Sequence, residues 1–167
     1  NPGGRLAVTF PKSVGQIPFA FPFKPGSDES SETSVYGALY PFGHGLSYTT
    51  FQYSDLVISP SKQGVQGNIS ISCTIKNIGQ REGDEVVQLY LRDEVSSVTT
   101  YTQVLRGFER ITLKPEASHT VHFELTPQEL GIWDKQMNFT VEPGMFKVMI
   151  GSSSKDIRLK GEFEIAQ

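Results

Sequence analysis

The chain has 167 residues, a formal charge of −3, 37% apolar and 20% charged residues. That length allows a hydrophobic core of its own, and no apolar run approaches the roughly 18 residues that cross a bilayer. The slight acidity gives no positive field to gather a phosphate backbone, so nucleic acid is not an expected partner, and acidic sugars would not be drawn in either.

The chain starts Asn1-Pro2-Gly3-Gly4-Arg5, with no initiating Met, basic leader or apolar leader run, and reads as internal to a longer polypeptide. Leu6-Ala7-Val8-Thr9-Phe10 is a short strand candidate ended by Pro11. Next, prolines at 18, 22 and 25 forbid a helix and a central strand, so Ile17 to Pro25 should be extended. A ribbon of this kind cannot bury Phe19, Phe21 and Phe23 by itself, and the expectation is that they lean on a surface outside the chain. Gly26 to Ser34 is polar and acidic and predicts an exposed loop. Leu39 to Phe51 combines Gly43 and Gly45 with the aromatic rings of Tyr40, Phe42, Tyr48 and Phe51 and predicts a packed connector rather than a flexible tether.

After residue 51 the pattern changes to period two. Ile69, Ile71, Cys73 and Ile75 alternate with polar residues, and Val87, Leu89 and Leu91 share one face opposite Val86, Gln88, Tyr90 and Arg92. Asn77 to Asp84 is the turn between these two strands. The alternation returns at Val121, Phe123 and Leu125, at Phe146, Val148 and Ile150, and in a last strand within Gly161 to Ile165. About seven short strands with turns between them make an antiparallel sandwich the expected architecture. Only Thr126-Pro127-Gln128-Glu129-Leu130 reads as helical, with Thr126 as N-cap and Glu129 closing the cap before Gly131 stops the turn. Between Val104 and Leu113, Phe108 is out of phase with Leu105, Ile111 and Leu113. Either a bulge near Gly107 turns it inward or it faces a partner.

Residues able to do chemistry are few. Cys73 is the lone cysteine and has no disulfide partner within the chain. His119 and His122 are three apart, on opposite faces of a strand, and are expected to be exposed or to pack. His44, between two glycines, is expected to be a structural imidazole, with a place near a substrate rim as the alternative. Glycoside hydrolysis needs two carboxylates facing each other across the sugar. In Asp84-Glu85 and Asp93-Glu94 the neighbouring side chains diverge on a strand, which favours turns or solvated strand ends. Gly151-Ser152-Ser153-Ser154 reads as a turn, not a nucleophile elbow. Trp133, flanked by Leu130 and Ile132, is expected to pack, the alternative being a platform for a sugar face. Asn68-Ile69-Ser70 and Asn138-Phe139-Thr140 match the weak N-glycan acceptor pattern. No catalytic, cofactor-binding or metal-ligating residue is expected.

Several stretches together resemble the C-terminal end of family 3 glycoside hydrolases, particularly β-glucosidases. They are Gly4 to Pro11, Val14-Gly15-Gln16-Ile17-Pro18, Tyr40-Pro41-Phe42-Gly43-His44-Gly45-Leu46-Ser47-Tyr48-Thr49, Gly83 to Leu91, Leu105 to Arg110, and Val141-Glu142-Pro143-Gly144. The resemblance implies an all-β, fibronectin type III-like sandwich at 52–167. Before it would come the tail of a second α/β sandwich domain at 1–25, including one of its strands, and a loop and connector at 26–51. It also implies upstream partners, a catalytic barrel with an Asp nucleophile and an α/β domain that bears the acid/base in many members. Their joint reaction would be retaining hydrolysis of a terminal β-linked sugar. Neither catalytic carboxylate would lie within 1–167, so the chain alone should be inactive. Ala7 stands where family members commonly have Pro, His44 where they commonly have Tyr, and Pro115-Glu116 where Pro-Gly is usual. The stretch from Gly26 to Ser34 is an insertion that could reach toward outer sugar subsites. A periplasmic or secreted location is expected if the source is bacterial. The alternatives are an independent carbohydrate-binding module, a β-xylosidase-type parent, or an adhesion or scaffold domain, which leaves residues 1–25 unexplained.

Overall fold

The computed structural model describes residues 1–16, 20–27 and 37–167. Near the N-terminus, β1 (Phe10–Pro11) runs antiparallel to β2 (Ala38–Tyr40). The strand expected over Leu6 to Phe10 is thus displaced: only Phe10 of that stretch lies in it, and Pro11 is a member instead of its stop. A two-residue edge strand tolerates the missing proline N–H. Before β1, the Leu6 amide donates to the His44 carbonyl at 2.9 Å and accepts at its own carbonyl from Gly43 at 2.8 Å, extending the ribbon without a regular ladder.

Two sheets then form the sandwich. In chain order its members are β3 (Phe51–Ser59), β4 (Lys62–Gly64), β5 (Ile69–Asn77), β6 (Gly83–Asp93), β7 (Val104–Leu113) and β8 (Ser118–Leu125). After α1 (Pro127–Leu130) and the small hairpin β9 (Ile132–Trp133) with β10 (Phe139–Thr140) come β11 (Gly144–Gly151) and β12 (Ile157–Ala166). One sheet has the order β4-β12-β11-β6-β7 and the other β3-β5-β8. Among the described residues only β4 with β12 is a parallel pair. The fold is the expected all-β, fibronectin type III-like sandwich with an irregular flanking segment.

The core follows from the period-two pattern. Ile69, Ile71, Cys73 and Ile75 from one sheet meet Val87, Leu89, Val148, Ile150 and Phe163 from the other, and all are buried. Phe146 and Phe163 face each other across β11 and β12 with rings stacked at 5.3 Å. Burial pushes the Cys73 thiol up to about 11, with the charge of Glu109 adding to it, so the thiol is inert at neutral pH. On α1, the Thr126 side chain accepts from the Gln128 amide while Glu129 reaches back to the Thr126 amide at 2.8 Å, the reciprocal cap expected from the sequence.

Of the two expectations for Phe108, the inward turn at a bulge is corrected. A register shift does interrupt the β6–β7 ladder, with Leu89 opposite Gly107 and Tyr90 opposite Leu105. The residue it re-aims is Val104, which joins the core, while Phe108 stays 68% exposed. Gly107 faces inward, and a methyl group there would sit 2.9 Å from the Phe123 ring.

The turn from β5 to β6 is organised less by its glycines than by Asn77, which is fully buried. Its Oδ1 accepts from Thr49 Oγ1 at 2.7 Å and from the Gly79 amide at 3.0 Å. Its Nδ2 donates to the carbonyls of Arg81 at 2.7 Å and Leu113 at 2.9 Å. Both donors and both acceptor sites of the amide are used, tying the connector to the first turn of the sandwich.

Candidate docking face and the seam beneath it

The outward side chains of β6 show where the molecule departs from a free-standing sandwich. Gln88 and Tyr90 point away from the core, yet Gln88 is buried and Tyr90 has no exposed surface. Residues 41–44 cover them. Gln88 Nε2 donates to the Gly43 carbonyl at 3.2 Å and to the Ser152 carbonyl at 2.6 Å, and its Oε1 accepts from the Tyr90 hydroxyl at 2.5 Å. The Ser154 amide donates to the Phe42 carbonyl at 2.9 Å. Burial pushes the Tyr90 phenol well above its ordinary range, so it remains a donor. Gly43 makes this approach possible: its φ is +80°, and a Cβ there would lie 2.0 Å from Gln88 Oε1.

Phe21 and Phe23 lean on this same surface. Phe21 stacks on Phe42 at 4.5 Å and meets Tyr90 edge-on at 5.7 Å, while the Phe23 carbonyl accepts from the Thr102 amide at 2.8 Å. Both rings are half-buried within the chain. The expectation that they need a surface outside it is therefore corrected in part: Phe21 rests on Phe42 and on Tyr90 of β6, and Phe23 meets Phe21 edge-on at 6.3 Å. Phe19 and the other residues at 17–19, and most of the expected acidic loop, at 28–34, lie outside the described residues. Gly26 and Ser27 are exposed.

At the start of β6 the two carboxylates diverge as expected, but Glu85 is not a solvated strand end. It shares parity with Val87 and Leu89 and points between the sheets, where Arg5 Nη2 meets its Oε1 at 2.5 Å. Both side chains are about nine-tenths buried, with 10% and 6% exposure for Arg5 and Glu85. The Tyr53 phenol is buried beside them and pushed upward, first by burial and then by the charge of Glu85. Leaving either partner of such a pair alone would strand a charge in low dielectric. Asp84, on the other face, accepts from Arg110 and from Thr112 Oγ1 and is held below the usual carboxylate range chiefly by Arg110. Glu94 pairs with Lys147 at 2.8 Å and with Arg92 at 2.9 Å, whereas Asp93 is half-buried and pushed up to about 6 by burial. No two of these four carboxylates face each other across an open site.

The outer side of the ribbon is apolar and open. Val8, Phe10, Leu39, Tyr40 and Leu46 are exposed, as are Val14 at 89% and Tyr48 at 71%. The His44 ring stacks on Tyr40 at 5.1 Å within this face, a packing role for its imidazole. Asn1 pins the far end by accepting from the Tyr48 amide at 2.7 Å. Exposed apolar side chains thus lie on the same segment whose backbone is hydrogen-bonded to β6 and to the turn after β11.

The remaining candidates are dispersed. His119 and His122 are exposed, His119 lying 3.5 Å from Glu109. Ser153 and Ser154 are buried in the turn after β11. Asn68 and Asn138 are exposed. Trp133 does not pack as expected: it is 59% exposed on β9. Among the described residues no group of three or more His, Cys, Asp or Glu side chains could hold a metal, and no helix is long and apolar enough to cross a membrane. Sequence reading missed Glu85, Gln88 and Asn77 as seam residues. Their signal was a polar side chain at an apolar parity for Glu85, and nothing local for the other two.

Comparison with known proteins gives a consistent result. Residues 85–154 match the fibronectin type III-like domain family. The chain is 41% identical to a periplasmic beta-glucosidase of Salmonella typhimurium over 99% of its own length and 23% of that protein. It is 43% identical to a beta-xylosidase of Formosa agariphila over 96% of its length and 23% of that protein. A solved β-glucosidase from Erythrobacter marinus superposes with a TM-score of 0.92 at 35% identity, over 98% of this chain and 22% of the other. The chain spans about a quarter of the length of the curated relatives it matches.

Proposed function

Since the chain belongs to the C-terminal, fibronectin type III-like region of family 3 glycoside hydrolases, we propose that it is the non-catalytic part of a retaining hydrolase that removes terminal β-linked sugars. Its role is to cover and hold the catalytic domains. In this reading residues 1–25 finish the second α/β domain, 26–51 form the loop and connector, and 52–167 are the accessory sandwich. The partners are that α/β domain and a catalytic barrel. Relatives carry both glucosidase and xylosidase names, so the sugar is a terminal β-glucosyl or β-xylosyl unit. A periplasmic or secreted location is part of the proposal for a bacterial source.

The observation that carries the reading is the exposed apolar row from Val8 to Tyr48. Burying a large apolar side chain contributes about 1.5–3 kcal/mol, so several in a row suffice to fix domain placement once an interface of roughly 1,200–2,000 Å² forms. The sandwich keeps a core without this row, and the row is therefore free to serve an intermolecular or interdomain contact. The test is to produce the upstream domains of the parent protein without this chain and then add it back. Expected are poor solubility or activity alone and recovery on addition, with no turnover of an aryl β-glucoside or β-xyloside by the pure chain. Turnover by the pure chain, or upstream domains equally stable and active without it, would contradict the proposal.

A further inference from the structure

At the end of the sandwich remote from Asn1, the last turn of β6, the 98–101 loop and the β9–β10 hairpin enclose a pocket of about 240 Å³. Its floor is Leu91, Leu130 and Phe146 from the core, and its rim carries Trp133 and Tyr101, both exposed. Asp93 and Arg106 stand in the wall. This pocket is separate from the seam, because β6 begins at Gly83 under the Asn1 end and the pocket lies at Asp93, the other end of this 11-residue strand.

The exposed indole is held in place. Trp133 lies opposite Phe139 in the β9–β10 register, and the two rings meet edge-on at 5.5 Å. Behind them the Phe139 ring covers Gly131 so closely that a Cβ there would lie 2.4 Å from it. The connecting loop is closed by Asp134, whose Oδ1 accepts from the amides of Gln136 and Asn138, each at 2.8 Å. A hairpin with this much local bonding presents its aromatic face without ordering cost on binding.

We propose that this pocket is a binding site for a single neutral pyranose ring, stacked on Trp133 and Tyr101 with its hydroxyls bonded to Asp93 and Arg106. The volume is below the roughly 300–1,000 Å³ of drug-sized sites and suits one ring rather than an extended chain. Opposite charges in the wall balance each other, which favours an uncharged polyol over an ionic ligand. Asp93 Oδ1 accepts from the Val95 amide at 3.2 Å, leaving its second oxygen available for a hydroxyl donor. Arg106 contributes guanidinium N–H donors, and the aromatic rim offers a face to the C–H side of a sugar. The identity of the ligand rests on the glycosidase reading above, but the site is independent of hydrolysis. It would hold one unit of a glycan or a released sugar.

The experiment uses the 167-residue chain, labelled with ¹⁵N and titrated with methyl β-glucopyranoside, methyl β-xylopyranoside and, as control, glycerol. A one-ring ligand at ordinary efficiency binds with a dissociation constant on the order of millimolar. Saturable shifts are expected at Tyr101, Arg106 and the Trp133 indole, with at least about tenfold weaker binding in Trp133→Ala and weakening in Asp93→Ala. Trp133 is on the surface, so its variant keeps the fold, which the unchanged dispersion of core amides would verify. No saturable shift up to about 100 mM sugar, equal shifts with glycerol, or binding unaffected by Trp133→Ala would overturn the site. Hydrolysis is not the readout. An inactive parent with a normal titration would count against the hydrolase reading alone, and a silent titration in an active parent against this site alone.

Discussion

The sandwich and the N-terminal ribbon spend their apolar residues in opposite ways. In the sandwich, side chains of alternating parity meet between two sheets, and Val87, Leu89, Val148 and Ile150 have no exposed surface. Along the ribbon, Val8, Val14, Leu46 and Tyr48 are exposed, while Gln88 and the Ser154 amide hold its backbone and the Tyr90 hydroxyl braces Gln88. The two regions share β6, which is apolar toward the core and hydrogen-bonded toward the ribbon. The lesson is that a strand can be buried on both faces by different physics: apolar packing on one side fixes the fold, and directional bonds on the other fix the position of an attached segment.

If that division is right, perturbations should separate by region. Leu89→Ala removes a fully buried side chain from the core, and we expect a loss of about 2–5 kcal/mol in a single cooperative denaturant transition. Arg5→Met leaves Glu85 buried without its cation. Complete stranding would cost about 3–5 kcal/mol, but the ribbon can swing away and admit water, so about 2–3 kcal/mol is expected. Pairing it with Glu85→Leu should recover most of the loss, and a double-mutant cycle reads this coupling. A further step down is Gly43→Ala, where the added methyl collides with Gln88. Here about 1–2 kcal/mol is expected, seen as faster amide exchange at Leu6 and at position 43 with β11 amides unchanged.

The smallest effect should lie in the sandwich but away from its core. Asp93 is held at about 6 in the folded chain, above the roughly 3.9 of an unfolded aspartate, so the folded state binds its proton more tightly. By linkage, this group lowers stability as pH rises from about 4 to about 6, with no further change above. Asp93→Asn should therefore stabilise at pH 7 by about 1 kcal/mol for a half-exposed carboxyl, and the gain should vanish below about pH 4. Melting curves across that range check it, and a gain that persisted at pH 3 would assign the effect to packing instead.

How much could be read beforehand depended on the range of the interaction. Strands β5, β6, β8 and β11 were legible because period two is local, and the Thr126 cap because its partners are three residues apart. The displaced first strand was not, since residues 10–11 are ordered by pairing with 38–40 far along the chain. Glu85 read as solvated because its neighbour in space, Arg5, is 80 positions away. The same limit misplaced Phe21, which rests on Phe42 and Tyr90, and Trp133, whose flanking Leu130 and Ile132 suggested burial although it is exposed on the β9–β10 hairpin. The seam's backbone bonds from Phe42 and Gly43 left no trace beyond the glycine itself.

Native-state hydrogen exchange on the chain alone and joined to the upstream domains proposed for its parent tests the division most directly. The account predicts that amides of β6 and β11 exchange only by global unfolding in both forms. Those at Leu6 and at 43–44 should open at least about tenfold more often in the chain alone and slow when the upstream domains cover the ribbon. Equal protection of ribbon and core in the isolated chain, with no change on joining, would contradict it.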